Sequence, residues 1–160
     1  MTDISNLSVA ELLSLHVKIG EALREKKITR STNNPTGDLA EYIFCKAFGW
    51  EQSTNSVKGY DAVHEGKRYQ IKARRLHDKN KSRQLSVLRD LNGHHFDYLA
   101  AILFRSDYTI HRAAIIPYEY VLANTRRSNH TNSDLFFLRD AVWEDTSVRD
   151  VTQVLRDVIL

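Results

Sequence analysis

The run Tyr98-Leu99-Ala100-Ala101-Ile102-Leu103-Phe104 carries no polar side chain after its first residue. A half-solvated strand would alternate apolar and polar residues, so an unbroken stretch of this kind reads as the central strand of a sheet. The turn residues Arg105-Ser106-Asp107 then predict a second strand over residues 109–116 paired with it, and Asn92-Gly93 breaks the chain upstream.

Elements that can surround this strand lie on both sides of it. Ser8-Val9-Ala10-Glu11 has the form of a capping box, and Leu12, Leu15, Ile19 and Leu23 recur at helical spacing to about Lys27. Thr29-Arg30-Ser31-Thr32-Asn33-Asn34 is a polar linker. Asn34 or Thr36 caps a second helix with Pro35 near its first turn; Leu39, Ala40, Ile43, Phe44 and Ala47 form its buried stripe, and Gly49 ends it. Residues 50–57 supply a weakly patterned strand, and residues 85–91 form a short apolar piece that reads equally as helix or strand. Pro117 opens a helix to about Asn124, a polar loop covers residues 125–133, and Leu135-Phe136-Phe137-Leu138 is strand-like. Thr146 or Ser147 caps a last amphipathic helix through Val148, Val151, Val154, Leu155 and Val158. The chain thus reads as an α/β domain over residues 34–160 preceded by a helix and linker over residues 1–33, with no internal repeat.

The single cysteine, Cys45, rules out an internal disulfide framework and a cysteine-based zinc site, and reads as a small buried hydrophobe. No apolar run approaches a membrane span, and Met-Thr-Asp-Ile-Ser lacks the basic and apolar regions of a signal peptide, so no membrane partner and a cytoplasmic location are expected. Net charge is +3, but it is unevenly placed. From Lys67 to Arg89 nine cations face the single acid Asp78, so this segment carries +8. Arg74, Arg75, Lys79, Lys81 and Arg83 are the expected contacts for a phosphate backbone, with a solvated polar loop around Asp78-Lys79-Asn80-Lys81-Ser82 as the plainer reading.

The chemistry lies just before that segment. Side chains alternate along a strand, so in Tyr69-Gln70-Ile71-Lys72-Ala73 the polar Gln70 and Lys72 share one face while Tyr69, Ile71 and Ala73 take the buried one. If His64-Glu65-Gly66-Lys67 is a hairpin turn, Asp61 of Gly59-Tyr60-Asp61-Ala62-Val63 returns beside that pair. A carboxylate oxygen, an amide oxygen and an ammonium then meet at one point. Such a sparse oxygen site suits Mg²⁺, which keeps several waters until substrate phosphate joins.

In these residues the chain resembles the PD-(D/E)XK nucleases, which carry an acid at the start of one strand, an acid-or-Gln-x-Lys triplet on the next, and often a Glu on the preceding helix. Asp61 matches the first acid, Gln70-Ile71-Lys72 the triplet, and Glu41 of Gly37-Asp38-Leu39-Ala40-Glu41-Tyr42 the helix acid. Gln in the triplet resembles the Mrr-like branch; Tyr60 stands where a proline usually precedes the acid. The motifs span residues 34–104.

The resemblance implies a restriction-endonuclease-like αβββαβ core, with a central mixed sheet flanked by helices, and Mg²⁺- or Mn²⁺-dependent cleavage of DNA in restriction, defence or repair. It implies Asp61, Gln70, the backbone carbonyl of Ile71 and Glu41 around the metal. Lys72 then orients or deprotonates the attacking water and stabilises charge on phosphate. Asp38, nearer the helix start, is expected to serve a cap or the helix dipole. Enzymes of this size commonly need two active sites to break both strands, which makes a homodimer a reasonable assembly.

Two other readings stay open: a nucleic-acid-binding module of this fold without catalysis, and an α/β interaction domain with a basic loop. Tyr60 and Tyr69 flank the site either to stack on bases or to pack. His94-His95 fits a loop, and no zinc-protease, P-loop, Rossmann or serine-hydrolase motif occurs.

Overall fold

The computed structural model describes residues 3–54, 59–130 and 132–160. Helix α1 (Val9–Glu25) starts at the expected capping box: Ser8 accepts from the Glu11 N–H, and Glu11 Oε2 accepts from Ser8 N at 2.8 Å. It buries none of its residues. Helix α2 (Thr36–Phe48) follows Pro35, with Asn34 Oδ1 accepting from Thr36 N at 3.1 Å. It ends on Gly49 in the left-handed conformation (φ 67°), where a side chain would be strained. Leu39, Ala40, Ile43 and Phe44 are its buried face.

Strands β1 (Glu51–Gln52), β2 (Ala62–His64), β3 (Lys67–Arg75), β4 (Tyr98–Phe104) and β5 (Ile110–Pro117) come next. After α3 (Tyr118–Asn124) a small hairpin forms from β6 (Arg126–Ser128) and β7 (Ser133–Leu135), and the chain closes with β8 (Arg149–Asp150) and α4 (Thr152–Arg156). The main sheet has six strands in the order β1-β2-β3-β4-β5-β8. Within it β3 and β4 run parallel and the other neighbours are antiparallel, so the protein is α/β with a mixed sheet. The apolar run is β4, central as expected, with Leu99 through Phe104 all buried. Alternation divides it between two cores: Ala100, Ile102 and Phe104 pack with Ile71 under α2, whereas Leu99, Ala101 and Leu103 pack with Ile116, Val121 and Phe136 on the other face.

Three expected elements take another form. A parallel pair needs a long crossover, and between β3 and β4 residues 76–97 carry a 3₁₀ turn at Leu91–Gly93 instead of the α-helix of an αβββαβ order. Leu85, Leu88 and Leu91 of this crossover are buried, so side chains from irregular backbone cover the second face. The polar stretch 125–133 holds β6 and the start of β7, while Phe136 and Leu138 extend beyond the hairpin into the second core. There Leu85 N bonds Phe136 O at 3.0 Å and Leu138 N bonds Arg83 O at 2.9 Å, tying the crossover to this segment. The last helix is shorter than its apolar spacing predicts. Arg149 and Asp150 instead pair with Ile115 and Ala114 on the open edge of β5, and Asp150 Oδ1 then accepts from Thr152 N at 2.9 Å to start α4. The strand expected over residues 50–57 is β1; residues 55–57 lie outside the described ones.

Candidate active site at the β2–β3 hairpin

The hairpin turn is Glu65-Gly66, both with positive φ (46° and 74°), as a two-residue turn between twisted antiparallel strands requires. The paired register runs from His64–Lys67 to Ala62–Tyr69, and Asp61 lies one residue before the last pair. Asp61 N donates to Tyr69 O and Ser53 N donates to Asp61 O, both at 2.8 Å, which ties the site acid to β3 and to the end of β1. Its carboxylate Oδ2 accepts from Gln70 Nε2 at 2.7 Å and from Ile71 N at 2.6 Å. Chain entry is equally constrained: a Cβ on Gly59 (φ 93°) would lie 2.3 Å from His95 Cβ. His95 is held in turn by Asp90, Nε2 to Oδ2, at 2.6 Å.

Lys72 and Glu41 complete the group. The Lys72 ammonium is held below its usual pKa by burial, helped by Arg89, while Asp61 and Glu41 pull the other way. Both carboxylates therefore share the Lys72 neighbourhood. Glu41 projects from α2, and its carboxyl is pushed up by burial and by the negative charge of Asp61. Gln52 Nε2 donates to Glu41 Oε2 at 2.7 Å, and Arg30 Nη2 donates to the same oxygen.

Arg30 and Gln52 are site residues that sequence reasoning misses. Arg30 lies in a polar linker with no motif around it, and only the folded chain returns it to the site. Asp38 does this work. Its Oδ2 accepts from Arg30 N at 2.9 Å, Ser31 N at 2.9 Å and Ser31 Oγ at 3.0 Å, and Arg30 Nη1 reaches Ser53 O at 3.0 Å. Burial would raise the Asp38 pKa, but these bonds and the Arg30 charge outweigh it and hold the carboxyl below its usual range. Asp38 therefore anchors the linker from the first turn of α2. Cys45, one helical turn beyond Glu41, is half-buried; burial, then Glu41 and Asp61, push its thiol up to about 11.

The basic residues divide by partner. Arg74 shares the strand face of Gln70 and Lys72 and continues the cationic line along β3. Lys79 and Lys81 are exposed. Arg75 lies over the Tyr108 ring at 4.9 Å, and Arg83 bonds Asp140 at 2.6 Å. Tyr60 packs with the second core and Tyr69 with the first.

Among the described residues, no three His, Cys, Asp or Glu side chains form a metal-binding group. Asp61 and Glu41 with the Gln70 amide nevertheless make an all-oxygen donor set. Oxygen donors of this type are those that a hard divalent ion retaining its waters takes, and the Glu41 carboxyl, raised by burial and then by Asp61, already has the Arg30 guanidinium as its counter-charge. No helix of the described residues is long and apolar enough to cross a membrane. No protein-family model matches the chain, and no curated protein matches it.

Proposed function

We propose that this protein is an Mg²⁺- or Mn²⁺-dependent endonuclease of the PD-(D/E)XK type, acting on phosphodiester bonds of DNA. The observation that carries the reading is the convergence at one end of the hairpin: Asp61 bonded to Gln70 and Ile71, with Lys72 in the field of Asp61 and Glu41. Asp61, Gln70, Glu41 and the Ile71 carbonyl would hold the ion, which when bound would neutralise charge on the scissile phosphate. Lys72 would orient the attacking water and donate to a non-bridging phosphate oxygen as the new P–O bond forms and the bond to the leaving sugar oxygen breaks. Its lowered pKa lets it release a proton more readily than a surface lysine. Arg30 would balance the charge of Glu41, and Arg74, Lys79 and Lys81 would follow the phosphate backbone.

One observation favours a binding module of the same fold instead. Asp61 Oδ2 and Glu41 Oε2 each already accept two hydrogen bonds from the protein. Incubation with supercoiled plasmid separates the two. Metal-dependent nicking that EDTA stops, and that Asp61→Ala and Lys72→Ala each abolish in folded protein, is expected of the nuclease. Wild-type cutting by both variants, or plasmid binding without nicking in either metal, rejects the assigned site.

A further inference from the structure

On the opposite face of β3 from Gln70 and Lys72, the sheet is left partly open. Helix α2 ends at Phe48, and beyond it Phe48, Trp50, Tyr69 and Tyr98 stand in a row of near-parallel rings. Phe48 stacks on Trp50 at 5.2 Å, Trp50 on Tyr69 at 3.8 Å and Tyr69 on Tyr98 at 5.5 Å, with interplanar angles of 22°, 20° and 19°. Trp50 is 7% exposed, whereas Tyr69 and Tyr98 keep part of their surface in a cleft of about 400 Å³. Two cations border that cleft. Lys67 starts β3, and Arg149 of β8 lies over the Phe48 ring at 5.4 Å. Among the described residues, the acid lining it is Glu65, which faces His64 at 3.8 Å.

Tyr69 and Tyr98 pack on the first core and leave part of each ring in the cleft. Within the row the rings cover one another's faces, and Tyr98 ends it with Tyr69 as its one ring neighbour among the described residues, so a flat ring can extend the stack at Tyr98 while the rim cations counter the charge of the groups that link such rings. The volume lies in the range that takes one small ligand, on the order of a nucleotide. We infer that the Tyr69–Tyr98 cleft, with Lys67 and Arg149, binds unpaired bases of a single-stranded nucleic acid. Duplex bases, already stacked and paired, cannot enter it. Tyr69 lies on the opposite face of β3 from Gln70 and Lys72, so a strand seated in the cleft does not occupy the candidate active site. The inference concerns binding alone and stands whether or not the site cleaves.

The test is a titration of the full chain in EDTA with a short oligothymidylate, read by tryptophan fluorescence, since Trp50 is in face contact with Tyr69. Saturable quenching is expected. Tyr98→Leu should weaken affinity roughly 5- to 100-fold, whereas Tyr98→Phe, which keeps the ring, should retain it. Lys67→Ala with Arg149→Ala should lower the log–log salt slope by about 1.4, the equivalent of two single-strand phosphates. An oligouridylate that quenches equally extends the site to RNA. Equal affinity for an abasic deoxyribose-phosphate oligomer overturns the proposal. So does unchanged affinity in a Tyr98→Leu protein of wild-type melting temperature, an equal loss of duplex and single-strand binding in that variant, or no saturable binding. Because EDTA is present throughout, failure here and failure to nick plasmid are separate results.

Discussion

Gln70 donates its side-chain amide to Asp61 at 2.7 Å from the neighbouring strand of the hairpin, so the two most central candidate ligands restrain each other without an ion. An acid in place of Gln70 would set two carboxylates against one another. Gln70→Glu should therefore melt lower than wild type in EDTA, by about 1–3 kcal/mol for the broken bond and added repulsion, and should recover in millimolar Mg²⁺ with tighter Mn²⁺ binding by calorimetry. A variant whose melting temperature ignores Mg²⁺, or that binds Mn²⁺ more weakly, would remove Gln70 from the ligand set.

Lys72 should cost stability for the sake of its position. Its folded pKa lies below the usual value of 10.5 because burial disfavours the charged form. The penalty is therefore fully present below the folded pKa and disappears as pH rises through it to the unfolded value. Lys72→Met should raise the melting temperature near pH 7, about 2–4 °C for each kcal/mol recovered, while abolishing cleavage. The gain should shrink toward pH 10.5 in thermal melts across that range.

Asp38 and Glu41 should separate by phenotype. Asp38→Asn loses charge on the acceptor that holds Arg30 and Ser31, so it should lower stability by roughly 1–3 kcal/mol with modest loss of cutting. Asp38 has a folded pKa below 3.8; its contribution is complete above the unfolded value and lost as pH falls through the folded one. The stability gap to wild type should then close in strong acid. Glu41→Gln should cost more activity than Asp38→Asn. A reversed ranking in nicking rates would transfer the role at the site to Asp38.

Arg74, Lys79 and Lys81 should act on phosphate without reading sequence. Their triple alanine variant should weaken binding to unrelated duplexes about equally and lower the log–log salt slope by roughly 0.9 for each phosphate that the protein no longer neutralises. Arg83→Ala should instead lower stability, because Arg83 is bonded to Asp140 at 2.6 Å. An unchanged slope in the triple variant would leave the loop as solvated surface, and loss of binding to one sequence alone would make it a specificity element.

What the sequence determined by itself was local. The apolar run of β4, the α1 capping box, the Gly49 stop of α2 and the Glu65-Gly66 turn are each set by short-range rules of spacing, capping and φ, and the hairpin that brings Asp61 back beside β3 follows from the turn. The shortened last helix shows where such rules lose. Val148 to Val158 has helical periodicity, but β5 offers an open edge of backbone donors and acceptors, and Arg149-Asp150 pairs with it. Residues 76–97 cover a sheet face without an α-helix because three buried leucines, spaced along irregular backbone, satisfy the core as well as a helix stripe would. The placement of Arg30 and Gln52 on Glu41, and of Tyr98 beside Tyr69, was decided only by the tertiary structure. These pairs are 11 and 29 residues apart, and no local preference encodes a meeting that depends on how a linker and a parallel strand return to the same sheet.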